Sequence, residues 1–429
     1  MRFNNYSRKA IFLILAAAFG SFGCSDSRMT AENEVSAANA APDRPELIQT
    51  AEALIEKFPD SPAGYRALAM AYIRIGRETG DPDNNEKALA AVEKGLSFSA
   101  NDTVLRKLKA TVLLSDHRFR EAREIGMALQ TELPRDAYVF GILTDANAEL
   151  GDYKEAAEFA QNMVDTRPDS QSYARAAHIR SLYGDHEGSV ELYKLAARTA
   201  DPSDKEAQAW CLAQLGNELW RNGKYDESLN VYNESLAVMP GYHHALFGKG
   251  RALVSKGDLN TAKDLLVESQ NRAAAIDTVL LLGDVYKRLG DNENAAKQYA
   301  MAEGGEAALG AHYDEHRMAL FWADNDKNLD RALEVAIADY AEIKDIYASD
   351  ILAWSYYKKG MFTEAKAQAE QAMRLKTRDA RIYYHAGMIE LALGNKAGAK
   401  SHLQTALQIN PKFDLTKADS AETTLKTLG

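Results

Sequence analysis

The stretch WCLAQLGNELWRNGKYDESLNVYNESLAVMP, residues 210–240, holds two apolar stripes at helical spacing, joined by the turn Asn222-Gly-Lys224 and closed by Pro240. Ser228 is a small residue set just after that turn, and ten such marks recur along the chain. They are Ala88, Ala122, Ala156, Ser189, Ser228, Ala262, Ala295, Ala332, Ala365 and Ala399. Successive marks lie 34, 34, 33, 39, 34, 33, 37, 33 and 34 residues apart. This period predicts helix-turn-helix units stacked in a row.

The same stretch resembles a tetratricopeptide repeat. The positions that carry the pattern are Leu212, Leu215, Gly216, Leu219, Ser228, Tyr232, Ser235 and Pro240. The last repeat matches through Tyr383, Ala386, Gly387, Ala399, Leu403, Ala406 and Pro411, with Glu390 where an aromatic residue is usual. The resemblance implies an all-α fold, a right-handed α-α superhelix of about ten repeats closed by a C-terminal capping helix. The order of features along the chain is also similar to that of exported bacterial tetratricopeptide repeat proteins of unassigned activity.

The repeats divide the chain into four parts. We expect a signal peptide over 1–23, a lipidated cysteine and flexible tether over 24–45, the solenoid over 46–411 and a capping helix within 412–429. In the first repeat, Ile75 to Asn84 is expected to insert about seven residues at the inner turn. The longest step between marks adds Asp201-Pro-Ser-Asp204, which predicts a longer loop. The outer face of the capping helix (Lys417, Asp419, Glu422, Lys426) is expected to be polar.

The first 24 residues break the repeat pattern. Three basic residues precede an apolar run over 10–23, which is shorter than the roughly 20 residues of a membrane-spanning helix and predicts a secretory signal. Gly20-Ser-Phe-Gly-Cys24 resembles a bacterial lipobox, with Ser21 where Leu is usual. That resemblance implies cleavage before Cys24 and acylation of this cysteine. The alternative is ordinary cleavage a little later, after the Ala-rich residues 36–41, with Cys24 lost.

The charge of the chain limits its partners. The formal net charge is −11, and removal of residues 1–23 leaves 48 basic and 62 acidic residues, a net charge of −14. Such a balance argues against nucleic acid or an anionic membrane surface as the main partner, since both attract clustered Lys and Arg. The remaining cysteine, Cys211, then has no disulfide partner, and we expect it to be a packed helix residue.

Candidate binding residues follow from the resemblance, which implies that the first helix of each repeat lines a concave groove. The groove candidates are Tyr138, Asp145, His178, Trp210, Asn217, Trp220, Arg221, Phe247, Arg251, Arg288, Tyr347, Trp354, Tyr357 and Tyr384. Trp and Tyr at such places are typical of peptide-binding hot spots, although each aromatic residue has packing against the next repeat as its alternative. The arginines with Asn217 form a local basic spot suited to a carboxylate, or else a solvated set of charges. Family members that bind chaperones use a Lys and Asn clamp, and Ala213 stands where the clamp Lys would be.

One catalytic pattern competes with this interpretation. His312-Tyr-Asp-Glu-His316 fits the H-x-x-E-H pattern of inverted zinc peptidases, in which Glu315 would be the base. The pattern lacks a third ligand and a cleft, and position 316 coincides with a packing residue of its repeat. We therefore expect no catalysis and no cofactor.

The main hypothesis is a cell-envelope scaffold, exported and lipid-anchored to a bacterial membrane, that binds a protein or peptide in the concave groove. The alternatives are a structural spacer in an envelope complex, in which the ends of the solenoid matter more than the groove, and a small-molecule or zinc-dependent activity at His312, Glu315 and His316.

Overall fold

Antiparallel pairs of helices follow one another along the part of the chain that the computed structural model describes, residues 44–309 and 314–429. The helices are α1 (Arg44–Lys57), α2 (Pro62–Thr79), α3 (Asp83–Phe98), α4 (Thr103–Ser115), α5 (Phe119–Glu132), α6 (Ala137–Glu149), α7 (Tyr153–Thr166), α8 (Ser170–Leu182), α9 (His186–Thr199), α10 (Lys205–Arg221), α11 (Tyr225–Val238), α12 (His243–Lys256), α13 (Leu259–Arg272), α14 (Ile276–Arg288), α15 (Asn292–Glu303), α16 (Glu306–Leu309), α17 (Glu315–Asp324), α18 (Leu329–Glu342), α19 (Ile346–Lys358), α20 (Phe362–Ala372), α21 (Ala380–Ala392), α22 (Lys396–Ile409) and α23 (Lys417–Leu428). No strand occurs among these residues.

Ten helix pairs form the repeats. They are α2/α3, α4/α5, α6/α7, α8/α9, α10/α11, α12/α13, α14/α15, α17/α18, α19/α20 and α21/α22, numbered repeats 1 to 10. The all-α solenoid and the expected number of repeats are therefore confirmed. The signal peptide, Cys24 and most of the tether lie outside the described residues, and so does His312. In the described part, no helix combines the length and the apolar character needed to cross a membrane.

The small marks lie in the second helix of each repeat, and all ten are between 0 and 3% exposed. Large side chains fill the space between neighbouring first helices, so the second helix has room only for a small residue at this position. Tyr232 is fully buried, and a Cβ on Gly216 or on Gly248 would lie within about 2.5 Å of its ring. One tyrosine therefore packs against the first helices of repeats 5 and 6 at once. Cys211 is buried in the same region, as expected, 3.3 Å from the Ser170 hydroxyl.

The insertion in repeat 1 is mostly helix, not loop. Helix α2 has 18 residues, whereas α4 has 13. An ion pair between Arg74 and Glu78, at 2.9 Å, stabilises the last turns of α2, and Gly80, in the left-handed region, caps its C-terminal end. We call residues 77–80 the crossing helix end. Its Arg77 contacts Asp204 and Glu206 at the start of repeat 5, each at 3.2 Å. The prediction of a lengthened inner turn was therefore wrong, whereas the longer loop that ends at Asp204 is confirmed.

Repeats 3, 4 and 5 also contact the junctions that follow repeats 8, 9 and 10. The Ile346 N–H donates to the Tyr153 hydroxyl at 2.8 Å, and the Thr377 hydroxyl donates to the Leu182 carbonyl. The Asn410 side-chain amide donates to the Trp220 carbonyl at 2.9 Å. We call these contacts the seam; residues 150–153, 182–186 and 220–225 form one side, and residues 344–346, 376–378 and 410–412 form the other.

Two glycines in the seam have a role that Gly290, in a turn outside the seam, lacks. Gly151 and Gly184 have φ of 81° and 75°, and a Cβ on either would press on the carbonyl oxygen of Lys344 or Lys376, respectively. Gly290 has nearly the same φ, 83°, but nothing lies within 4 Å of its Cβ position. The seam therefore needs glycine for close approach as well as for backbone conformation.

The last helix, α23, covers repeat 10 with buried Ala418 and Ala421. Asp419 and Lys426 are exposed and Glu422 is half-buried, as expected of an outer face. Lys417 is an exception, because it turns inward to Asp324 at 2.8 Å and Asp414 at 3.0 Å.

Candidate functional site

The first helices of the repeats line an interior surface that contains two cavities. Cavity 1, about 600 Å³, lies mainly between α4, α6, α8 and α10 and is bordered by Arg77 of the crossing helix end. Cavity 2, about 710 Å³, lies between α10, α12, α14, α17 and residues 379–381 and 410–417. Both volumes fall in the range of ligand-binding pockets. Helix α10 contributes to both cavities, through Trp210 to the first and Trp220 to the second.

Cavity 1 combines aromatic rings with polar groups. The Tyr138 hydroxyl lies 2.8 Å from the Thr111 hydroxyl, and Asp145 forms an ion pair with Arg175 at 2.7 Å. Trp210 is half-buried in the wall, and His178 is exposed to the cavity. This set of rings, donors and acceptors is typical of a surface that binds a partly apolar ligand.

Glu149 also lines cavity 1, at the end of α6. Among the described residues it has neither a hydrogen-bond partner nor an ion-pair partner. Burial, together with the neighbouring carboxylates Asp345 and Asp145, raises the pKa of Glu149 to about 7, against a smaller lowering by His316. The cavity therefore holds a carboxyl group that lacks a counter-charge.

Cavity 2 contains an arginine held by neutral groups. The Arg251 guanidinium lies 3.8 Å from the centre of the Trp220 ring and 5.3 Å from that of Phe247. It donates to the Asn217 side-chain oxygen at 2.8 Å, and its buried Nε has no acceptor. The aromatic faces and the amide fix the direction of this cation without neutralising it.

A second arginine of cavity 2 belongs to a buried network around Glu218, which is 3% exposed. Glu218 accepts from Ser181 at 2.6 Å and from Arg221 at 2.9 Å, and it lies 2.8 Å from the Nδ1 of His186. We call these four side chains the Glu218 network. Burial alone would raise the pKa of Glu218, but the bonds from His186, Arg221 and Ser181 outweigh burial and lower it.

The other charges of cavity 2 are mostly paired. Arg317 bonds to Asp277, with Nε and Oδ1 2.7 Å apart, and Arg381 bonds to the buried Asp350 at 3.1 Å. Lys417 lies between two carboxylates, as described above. These pairs leave Arg251 as the arginine that lines the cavity with no carboxylate in contact, among the residues that the structure describes.

A family model described as the tetratricopeptide repeat matches residues 214–275 and 352–412. These two segments carry tetratricopeptide repeats. The matched segments hold most of repeats 5 and 6 and repeats 9 and 10, where the quoted stretch and the last repeat gave the resemblance. Arrays of these repeats generally mediate protein–protein interaction and are typically non-catalytic scaffolds. None of the curated proteins matches the chain.

Three solved structures give the wider comparison. They are the APC/C hetero-tetramer Cut9-Hcn1 (15% identity over 94% of this chain and 95% of that chain, TM-score 0.35), a tetratricopeptide repeat protein from Parabacteroides merdae (19% identity, 60% and 98%, TM-score 0.34) and the human IFIT1 dimer with PPP-AAAA (12% identity, 89% and 87%, TM-score 0.48). With TM-scores below 0.5, none of these likenesses carries a conclusion about this chain.

The tetratricopeptide array brings most of the predicted groove residues to the two cavities. Tyr138, Asp145, His178 and Trp210 line cavity 1, and Trp220, Arg221, Phe247, Arg251, Arg288 and Tyr347 line cavity 2. Asn217 stands behind cavity 2 and also accepts a hydrogen bond from the Tyr232 hydroxyl at 2.7 Å. The predicted arginine spot is therefore dispersed: Arg221 is paired with Glu218, Arg288 lies 3.8 Å from Asp419, and Arg251 stands alone.

Three aromatic candidates of repeats 9 and 10 belong to the core. Trp354 is 4% exposed, donates to Asp324 at 2.8 Å and stacks on Tyr357 and His385. Tyr384 is 5% exposed, with its hydroxyl 3.2 Å from that of Ser420 in α23. For Trp354 and Tyr384 the structure therefore shows the alternative, packing, because repeat 8 and the capping segment cover them. Half-buried Tyr357 lines neither cavity.

Three basic residues of cavity 2 escape prediction from the sequence. Arg317, Arg381 and Lys417 each lie in the first turn of a helix, after an aspartate cap or turn at Asp314, Asp379 or Asp414. A positive charge is unfavourable at the N-terminal end of the helix dipole. A basic residue in the first turn therefore indicates that a carboxylate in another part of the fold pairs with it.

The described part of the zinc pattern is occupied by neighbouring side chains. His316 Nδ1 contacts Asp339, and Glu315 forms an ion pair with Arg331. Within residues 44–309 and 314–429, no group of three His, Cys, Asp or Glu side chains is arranged to hold a metal ion.

Proposed function

We propose that this chain is a scaffold of a bacterial cell envelope, held to a membrane by a lipid at Cys24, that binds a protein or peptide segment on its interior surface. The observation that supports binding most directly is the pair of cavities, whose walls carry half-buried Trp210 and Trp220 together with Glu149 and Arg251, which no oppositely charged group contacts in the described chain. Aromatic rings of this kind are the usual anchors of peptide recognition. The seam and the crossing helix end border this surface, which favours a narrow chain segment over a folded domain.

Site-specific photocrosslinking tests where the partner binds. A photoreactive amino acid in place of His178, in cavity 1, is expected to capture an envelope protein or peptide in intact cells. The same substitution at Met127, which is 49% exposed on a second helix, serves as the matched control. Capture from position 127 with none from position 178 would contradict binding on the interior surface.

The proposed anchor is tested separately. Cys24→Ser is expected to abolish incorporation of labelled fatty acid and to move the protein from the detergent phase to the aqueous phase, because several acyl chains are needed for stable anchoring. Cys211→Ser controls for the loss of a thiol and is expected to keep the label. Equal labelling of the Cys24→Ser variant and the unchanged protein would contradict the lipoprotein interpretation while leaving the interior surface unaffected.

A further inference from the structure

Each cavity contains a half-buried ionisable side chain that no group of opposite charge contacts in the described chain. These side chains are Glu149 in cavity 1 and Arg251 in cavity 2. Partial burial of an unpaired charge is unfavourable, so a ligand that supplies the missing counter-charge regains free energy that neither cavity recovers by itself. The position and sign of these two groups therefore carry information about the partner.

The surroundings of Glu149 indicate a cation. On its own helix, Asp145 is already held by Arg175, and from the seam Asp345 points its carboxylate at the Ala348 N–H, 2.5 Å away. His316, the other titratable neighbour, is in contact with Asp339. Every charged group facing Glu149 is thus either acidic or committed to another residue. A basic group of the partner is the complement that fits.

The surroundings of Arg251 indicate an anion. Its contacts are the ring of Trp220, the ring of Phe247 and the amide oxygen of Asn217, all of them neutral. The nearby carboxylate of Asp277 is engaged by Arg317. The guanidinium is held in place and retains its charge, which is the state in which arginine recognises a carboxylate.

Glu149 and Arg251 belong to different cavities. Helix α10 contributes Trp210 to one cavity and Trp220 to the other, and these two positions are ten residues apart, which is about 15 Å along a helix. An extended chain covers about 3.3 Å per residue, so an extended peptide is a ligand that can contact both cavities at once.

Resting on the proposed function, we propose that the partner segment is an extended peptide with a basic residue that pairs with Glu149 and, further along the same peptide, an acidic residue that pairs with Arg251. The two cavities then bind opposite charges along one peptide. Hydrogen bonds to charged groups of this kind are each expected to change affinity about ten- to hundredfold.

Selection from a displayed library of random twelve-residue peptides on the full-length chain tests the proposal. The expected result is enrichment of peptides that carry a basic and an acidic residue at one constant spacing. Glu149→Gln should abolish only the basic preference, and Arg251→Gln only the acidic preference. Arg251→Lys should keep the acidic preference, and Glu149→Lys should replace the basic preference with an acidic one. Glu158→Gln, on the exposed face of α7, is the matched control and should change nothing.

The outcomes separate the two proposals. Enriched peptides with no charge preference, preferences that persist in the Gln variants, or basic and acidic residues at no constant spacing overturn the extended dipolar peptide and leave interior binding intact. Absence of any enrichment over a support without protein counts against peptide binding on this surface and so against the proposed function itself. Thermal unfolding of each variant confirms that the comparison is made between folded proteins.

Discussion

Gly151→Ala is expected to open the seam, whereas Gly290→Ala is expected to leave it closed. Both glycines have φ near 80°, so alanine at either position carries a cost of about 1–2 kcal/mol for the left-handed conformation. At Gly151 the new methyl group also presses on the Lys344 carbonyl, and overpacking of this kind costs about 2 kcal/mol more. Because the clash is with backbone, we expect the chain to relieve it by separating repeat 3 from the start of repeat 9.

Hydrogen exchange at the Ile346 amide reports this opening directly. That N–H is buried and donates to the Tyr153 hydroxyl across the seam. Its protection is expected to fall sharply in Gly151→Ala and to stay near the wild-type value in Gly290→Ala. A local measurement is preferable to a single unfolding midpoint, because long repeat arrays need not unfold in one step. Equal protection in both variants would show that the seam does not depend on this close approach.

Glu218→Ala is expected to produce the largest loss of stability, about 3–5 kcal/mol, since it leaves the guanidinium of Arg221 and the hydroxyl of Ser181 without their buried acceptor. Urea unfolding measures the change. Glu227→Ala, an exposed glutamate in the following helix, is the matched control and should stay within about 0.5 kcal/mol of wild type. A similar loss in both variants would mean that the Glu218 network contributes no more than a surface residue.

The same network predicts a pH dependence with a definite sign. The pKa of Glu218 lies below its ordinary value of 4.5, so its contribution is complete above that pH and is lost as the pH falls through the lower folded-state pKa. Glu218→Gln removes the titrating group. The stability gap between wild type and Glu218→Gln is therefore expected to narrow below about pH 4.5 and to be constant at neutral pH. A gap that widens with acidification would contradict the assignment.

The sequence predicts the repeat register well because the register is local. Ser228 and Ala399 are buried where the 34-residue period places them, since each small residue serves contacts within its own repeat and the next. Residues of cavity 1 such as Tyr138 and Trp210 follow from the same rule, because repeats 3 to 5 present their first helices to the interior in the ordinary way.

The sequence does not predict the contacts that a residue makes outside its own repeat. Gly151 and Gly290 both stand in Gly-Asp turns, and the sequence of the turn does not show which of the two glycines contacts a distant part of the chain. Trp354 occupies a groove position by sequence, but its indole bonds to Asp324 in the preceding repeat, where the family pattern is weak. The crossing helix end is similar, because Arg77 finds its partners Asp204 and Glu206 more than 120 residues later.

The seam also has a consequence for how the molecule reaches its native state. Ordinary repeat arrays have low contact order and gain stability one neighbour at a time. Here Tyr153 and Ile346 are 193 residues apart, and Tyr225 and Asn410 are 185 apart. A chain made from its N-terminus completes repeats 3 to 5 long before their distant partners exist, so closure of the seam is a late event with a large loop-closure cost. Until the seam closes, the interior surface that contains both cavities is accessible to any peptide segment that reaches it.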